Sequence, residues 1–543
     1  MPIQPKLEAA LARHHAGDVA AATELYRAVL AEEPEQPDAL HMMGVIAQQK
    51  GNPELALQLM EAALAKNPDL TQAWYNRCLV LRALGRPEQA LESVQQALGL
   101  DAALADGWDM AGSILREMRK FDEAAACLER ALQLKPDSPQ ILNSYAVILA
   151  AGGRLKEAYA ALKKANRPDN AVLSMTLGNI IKAAGYPERA IPLFKKARTL
   201  EPQLTGAWTN EALARLQIGD LERGWAVWEK RLDDRERKVL SMPRWQGQKV
   251  GHLLLREDQG MGDSLQCLRY IPLIRDRADK ITLQLTGFLQ SLLISNFPDL
   301  AVITLDDPVP AADAEAQLLS LPYFCKTKLS SIPAPIPYIR AEESWRAPWR
   351  ERLAALPKPR VGLVWGGNPG NRNDHNRSIA FDRMEPLLKT ESRHLVSLQK
   401  GRPKDQARLK EFGVFDAEPF LPFFSDTAGL VAELDLVIAV DTAVVHLAGA
   451  MGKPVWLMVP FESDWRWLLG REDNPWYPTL RIFRQESPRD WAGVISRVVS
   501  ELQAFLAGKE QVLVPKTYFG EALLKNPNAI DLEDSVSTNP AGR

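Results

Sequence analysis

A chain of 543 residues is too long for one ordinary hydrophobic core, so roughly two to four domains are expected. Its charges nearly cancel, leaving a formal −2 with no long block of one sign, which argues against a dedicated nucleic-acid binder. The four cysteines, Cys78, Cys127, Cys267 and Cys325, stand far apart without paired spacing, so neither a disulfide framework nor a zinc site is indicated. The opening segment MPIQPKLEAALARHHAG lacks the uninterrupted apolar stretch of a signal peptide, and no segment reaches bilayer length. A cytoplasmic protein without a membrane span is the expectation.

The first elements in chain order repeat. Pro34, Pro68, Pro136, Pro168 and Pro202 lie on one ladder of 34-residue steps, with one step shorter by two. Gly44, Cys78, Gly112, Ala146, Gly178 and Ala212 keep the same beat, as do Ala22, Ala56, Ala90, Ala124, Ala158 and Ala190. Within a unit such as AWYNRCLVLRALGRPEQALESVQQAL, apolar residues recur at helical spacing on either side of a glycine breaker, which predicts a helical hairpin. Small residues let the two helices approach, and the proline ends the second. The pattern resembles the tetratricopeptide repeat, with Trp74, Trp108 and Trp208 at its first aromatic position. About seven units fill residues 1–236 and stack into a solenoid, because no unit can bury its apolar face alone. Such a groove is read as a protein-binding surface, with a spacer or dimerisation role as the alternative.

Beyond a charged bridge the period changes. The runs HLLLRE, ITLQL, AVITL and AQLLSL alternate with helical stretches, one of which starts at Asp263. After the proline-rich SSIPAPIPYIR come VGLVW, HLVSL, DLVIAV, PVWLMV and RIF. Strand and helix in series predict parallel sheets, here as twin Rossmann-like halves at 237–345 and 346–507. Residues 508–543 read as a mobile tail.

In open α/β sheets, ligands sit beyond the carboxyl ends of the strands, so the polar residues there are the ones to collect. HLLLRE runs into DQGMGDSLQ, with Gly262 and Asp263. VGLVW runs into GGNPGNRNDHNRS, with Asn368 and Arg377. HLVSL runs into Gln399 and Lys400, and DLVIAV into Asp441, Thr442 and Ala443. A helix starting at Asp441 or Thr442 would offer unpaired amides and a positive dipole end to a phosphate, with His446 one turn on. The same residues would equally serve as a plain N-cap and a buried histidine. Asp263, likewise, reads as a base at the cleft or as an N-cap. In FESDWRWLLGREDNPWYP the tryptophans read as packing, with Glu462 and Asp464 as sugar contacts.

The stretches GMGDSLQCLRYIPLI, VGLVWGGNPGNRNDHNRSI, VSLQKG, DLVIAVDTAVVHLAGAMGKPVWLM and DWRWLLGREDNPWYP, in this order, resemble bacterial tetratricopeptide-repeat glycosyltransferases of the GT-B fold. The second half is similar to heptosyltransferases, and the layout to protein O-GlcNAc transferase. The resemblance implies an α-solenoid followed by two Rossmann-like domains. It implies transfer of a sugar from a nucleotide sugar to a protein held by the repeats, with flagellin as a suggested acceptor and a hexose, heptose or nonulosonic acid as the sugar. It implies Asp263 as the general base, and Asp441, Thr442 and His446 on the donor's nucleotide and phosphates, with Ala443 where heptosyltransferases carry glycine. Asn368 and Arg377 would meet the diphosphate or sugar. No two aspartates are separated by one residue, so no metal and no cofactor are expected, and helix N-termini with Lys or Arg would neutralise the leaving group. The alternatives are a repeat adaptor that binds a sugar nucleotide without turnover, and an enzyme acting on a lipid or polysaccharide.

Overall fold

The computed structural model describes residues 3–165, 169–231, 242–371 and 373–509. Pro168, the expected boundary at 236/237 and all of the expected tail beyond residue 509 lie outside these. The chain divides into two compact units, Met1–Ile180 and Ile181–Arg543.

Fourteen helices occupy the N-terminal part of the described residues, from Ile3–His15 to Leu221–Trp228, in hairpins on the 34-residue beat. The small-residue ladders meet each other inside each hairpin. A Cβ on Gly44 would lie 3.1 Å from the Ala56 carbonyl, and one on Gly112 would lie 3.1 Å from the Ala124 carbonyl and overlap Leu128. The alternating Gly and Ala positions are therefore the lines along which helix backbones touch. The hairpin turn needs a left-handed residue, supplied by glycine at Gly51 (φ 77°) and its equivalents, but by Arg119 (φ 64°) in the fourth unit. A non-glycine residue there costs roughly 1 kcal/mol. Each first-position tryptophan clasps the preceding loop. The indole N–H of Trp74 donates to Pro68 O at 2.8 Å, that of Trp108 to Ala102 O at 3.0 Å, and that of Trp208 to Pro202 O at 3.0 Å.

The second unit contains two parallel sheets. The first has β1 Val250–Arg256, β2 Ala278–Leu285, β3 Ala301–Thr304 and β4 Ala314–Gln317, in the order β3-β2-β1-β4. The second has β5 Val361–Val364, β6 Leu395–Ser397, β7 Phe415–Asp416, β8 Leu436–Val440, β9 Val455–Val459 and β10 Leu480–Arg484, in the order β10-β9-β8-β5-β6-β7. Strands β5, β8 and β9 are buried along their whole length, which is why they read as unbroken apolar runs. The run AQLLSL differs from its expected strand: pairing ends at Gln317, and Leu318–Ser320 tighten into a 3₁₀ turn that buries both leucines. Strand β7, two residues long, has no apolar run to announce it.

Strand order reverses beside β1, flanked by β2 and β4, and beside β5, flanked by β6 and β8. Loops leaving the carboxyl ends of neighbouring strands diverge at such points and open a crevice. The loops after β1, β5 and β8 carry Asp263, Asn368 to Arg377, and Asp441 with Thr442.

The last helices of the repeat series belong to this second unit. Leu216, Trp225 and Trp228 share one buried core with Trp245, Leu253, Trp465 and Trp476. The rings of Trp225 and Trp465 meet edge to face at 5.1 Å. The Gln217 amide donates to Ser463 O at 3.0 Å, and Lys182 pairs with Glu462 at 2.6 Å. Truncating one such tryptophan typically costs about 3–5 kcal/mol.

Candidate functional site

The loop after β1 is pinned before it reaches Asp263. Glu257 accepts the Thr286 N–H at 2.5 Å, and Asp258 pairs with Arg231. The chain then enters the short helix Met261–Cys267, with Asp263 in its first turn. Gly262 is required by close approach, because a Cβ there would lie 2.7 Å from His446 Cδ2. The β1 loop of one sheet and the helix after β8 of the other are thus in direct contact.

Arg466, on the loop after β9, joins them. Asp464 starts the single turn Trp465–Trp467 by accepting the Arg466 N–H at 3.0 Å. The Arg466 guanidinium, 7% exposed, donates Nη2 to Asp263 Oδ1, Nη1 to Asp464 Oδ1 at 2.8 Å and Nε to Gln266 Oε1 at 2.6 Å. Its face lies 4.2 Å from the Trp465 ring centre. Burial raises the Asp263 pKa above the ordinary carboxylate range, and Arg466 opposes that rise.

The helix Ala443–Ala450 begins with Thr442 at the N-cap, in extended backbone, making no side-chain cap bond. The expected N-cap geometry is present without the expected cap. Thr442 Oγ1 is buried and has no hydrogen-bond partner, beside first-turn amides that a helix leaves without intrahelical acceptors. His446 is 4% exposed, and its Nδ1 shares a hydrogen bond with Tyr477 Oη at 2.9 Å. Burial, with Arg466 and Arg269 acting in the same direction, lowers the His446 pKa and keeps the ring neutral. Burial pushes the Asp441 carboxyl up to about 6, Asp464 adds to this, and the Trp467 indole, Arg466 and Arg377 oppose it.

The loop after β5 is built around Asp374. Arg402 Nη2 meets Asp374 Oδ2 at 3.0 Å, and Ser378 Oγ donates to Asp374 Oδ1 at 2.8 Å. Arg377 Nη1 reaches across to Asp441 O at 2.9 Å. Asn368 is exposed and accepts the Gly370 N–H at 2.9 Å. Gln399 shapes the loop rather than reaching outward. Its oxygen accepts Trp365 N and Gly366 N at 3.1 and 2.8 Å, and its amide donates to Gly366 O and Lys400 O at 3.1 and 2.9 Å. That uses its full hydrogen-bonding capacity. Lys400 donates to Leu421 O.

Asp263, Gly262, Asp441, His446 and Asp464 are therefore brought together, with Arg377 bonded to the backbone of one of them. Glu462 is turned to Lys182. Arg466 and Arg402 escaped the sequence reading: each takes its role from partners distant in the chain, and the tryptophans around Arg466 read only as packing. An open groove of about 710 Å³ between the helices Phe381–Leu388 and Trp491–Leu506 shares no residue with this cluster. Among the described residues no group of three His, Cys, Asp or Glu side chains is placed to hold a metal ion, and no helix is long and apolar enough to cross a membrane. All four cysteines are free thiols.

Two substitutions test the electrostatics and the orphan hydroxyl. A carboxyl with a raised folded pKa binds its proton more tightly when folded, so Asp441 costs stability as pH rises from about 4 through about 6. Asp441→Asn is expected to add up to ~3 kcal/mol of stability near pH 7.5, read as a higher melting temperature, and to leave melting almost unchanged near pH 4. A variant that melts with the parent at both pH values contradicts this. Thr442→Val removes a hydroxyl that bonds to nothing in the protein, so melting should stay level, and the nucleotide sugar that the resemblance implies, titrated by calorimetry, should bind about tenfold more weakly. Unchanged affinity with a steep fall in melting would make Thr442 a packing residue.

Models described as tetratricopeptide repeat match residues 14–76, 71–104 and 110–171. Protein FlbA of Caulobacter vibrioides (strain ATCC 19089 / CIP 103742 / CB 15) is 27% identical over 443 residues, covering 69% of this chain and 74% of that protein. That share is longer than the fourteen helices, so the likeness extends into the α/β region. Among solved structures, a tetratricopeptide repeat protein from Parabacteroides merdae ATCC 43184 is 18% identical, covering 43% of this chain and 95% of that one, with a TM-score of 0.38. Pseudomonas aeruginosa pilF is 19% identical, covering 38% and 94%, with a TM-score of 0.33. YrrB, a TPR protein with an unusual peptide-binding site, is 20% identical, covering 34% and 96%, with a TM-score of 0.30.

Proposed function

We propose that this chain is a glycosyltransferase in which two Rossmann-like halves of a GT-B arrangement hold a nucleotide sugar, while the repeats hold a protein acceptor. Tetratricopeptide repeats suggest a protein partner. The observation that carries the catalytic reading is the convergence at Arg466. Asp263, on the loop that follows one parallel sheet's β1, meets Arg466 from the loop after β9 of the other, which supports a site at the carboxyl ends of the strands, where open α/β sheets generally take ligands.

In this reading Asp263 takes the proton of the acceptor hydroxyl. The acceptor oxygen bonds to the anomeric carbon, the carbon–oxygen bond to the phosphate breaks, and its electron pair leaves on the nucleotide. Thr442 Oγ1, the first amides of the helix Ala443–Ala450 and Arg377 receive that phosphate charge. Asn368 and Lys400 line the donor side. Hexosyl, heptosyl and nonulosonic donors all satisfy this chemistry, and flagellin is the first acceptor to test.

Because helix amides and guanidinium groups carry the leaving charge, turnover is expected to survive exhaustive chelation. Full-length protein, treated with EDTA and given a panel of nucleotide sugars with acceptor, should release nucleotide at the untreated rate. A strict requirement for added magnesium or manganese overturns this assignment of the neutralising groups.

A further inference from the structure

We propose that Arg466 is a positioning residue for Asp263: it fixes one carboxylate oxygen and leaves the other for the acceptor hydroxyl, while being held in place itself by Asp464, Gln266 and Trp465. The inference rests on the transferase reading for its catalytic meaning, and on geometry for the rest.

A carboxylate at the mouth of a crevice turns freely unless one oxygen is tied. Arg466 Nη2 ties Oδ1, whereas Oδ2 lies on the side of Gly260, where a Cβ would stand 3.7 Å away; the Gly260 backbone N–H also bonds to the carboxylate, which keeps further lone pairs for an acceptor hydroxyl. The guanidinium has little freedom of its own. Two of its other N–H groups are directed by Asp464 and Gln266, at 2.8 and 2.6 Å, and one face is covered by Trp465. Trp465 is in turn wedged between Trp225 at 5.1 Å and Trp476 at 5.8 Å, both edge to face. Asp263 is thereby indexed to the loop after β9, which belongs to the other sheet. A helix residue reaching into a crevice from one sheet gains a fixed address relative to ligands held by the second.

Charge sharpens the point. Asp263 faces Asp464, Asp258, Glu257 and the Cys267 thiol, and Arg466 is the cation paired with it. Asp258 is already paired with Arg231. Burial and the neighbouring acids raise the Asp263 pKa, and the guanidinium opposes that rise, favouring the ionised carboxylate that a base must be. Asp464, which the sequence placed on the sugar, has its Oδ1 committed to Arg466 and thus serves as the second anchor of the same device.

The test is a direct titration in the full-length chain. Aspartate is labelled with ¹³C at the carboxyl carbon, the Asp263 signal is assigned by its loss in Asp263→Asn, and its midpoint is followed in the parent, Arg466→Gln and Arg466→Lys. The expected result is an upward shift of about one unit or more in Arg466→Gln and a smaller one in Arg466→Lys, which keeps the charge but reaches fewer partners. With donor and acceptor present, the acid limb of kcat/KM should move by the same amount, with KM little changed. An Asp263 midpoint that stays put in the folded variants overturns the proposal, and Arg466→Lys decides it alone should Arg466→Gln fail to fold. Absence of transfer by the parent chain would instead overturn the transferase reading, and the titration would still report on Arg466.

Discussion

Asp263→Asn is expected, on the proposed transferase reading, to lower sugar transfer by roughly 100-fold or more while the protein melts as before and donor binding stays at the parent level. The amide matches the carboxylate in shape and can still accept Arg466 Nη2, so the bridge between the two sheets survives. It also removes a charge whose burial is unfavourable, which offsets the lost ion pair. What it cannot do is take a proton. Single-turnover kinetics with saturating donor isolate that step, and turnover within a few-fold of the parent would remove Asp263 from catalysis.

The second large effect separates two ways of cutting the chain. A fragment from residue 237 onward loses Leu216, Trp225 and Trp228, all buried in the core that holds Trp465 and Trp476. With about 3–5 kcal/mol at stake for each tryptophan, this fragment is expected to aggregate or to melt far below the full chain. A fragment from residue 181 keeps those contacts along with Lys182–Glu462 and Gln217–Ser463. On the proposed reading it should be soluble, bind nucleotide sugar as the full chain does, and modify the protein acceptor at least ~100-fold more slowly, since it lacks the repeats proposed to bind that acceptor. Equal stability of the two fragments would contradict the packing argument, and a full acceptor rate from the 181 fragment would reduce the repeats to an attachment.

The repeats were legible because their constraint is local and periodic: Gly44 and Gly112 must be small wherever a hairpin closes, and the sequence says so every 34 residues. The division at Ile180 was not, because the helices on either side of it obey the same pattern. What assigns the last of them to the α/β unit is a set of partners some 240 residues away, such as Ser463 for Gln217. The strand ends at Asp441 and Asp263 could be read from where apolar runs stop. Gln399 shows the limit of that reading, since a polar residue after a buried strand looks the same whether it faces a ligand or the next loop's backbone. Arg466 shows the converse. In the stretch DWRW nothing marks the arginine as more than a charge among packing aromatics, and only its approach to Asp263, 203 residues earlier, gives it a role.

The most direct measurement of the central claim is the intact mass of a candidate acceptor, flagellin first, taken from cells carrying the parent chain and from cells carrying Asp263→Asn. The account requires the acceptor to be heavier by whole sugar residues in the first case, with the added mass gone in the second. Identical acceptor masses in the two, modified or bare, would contradict it.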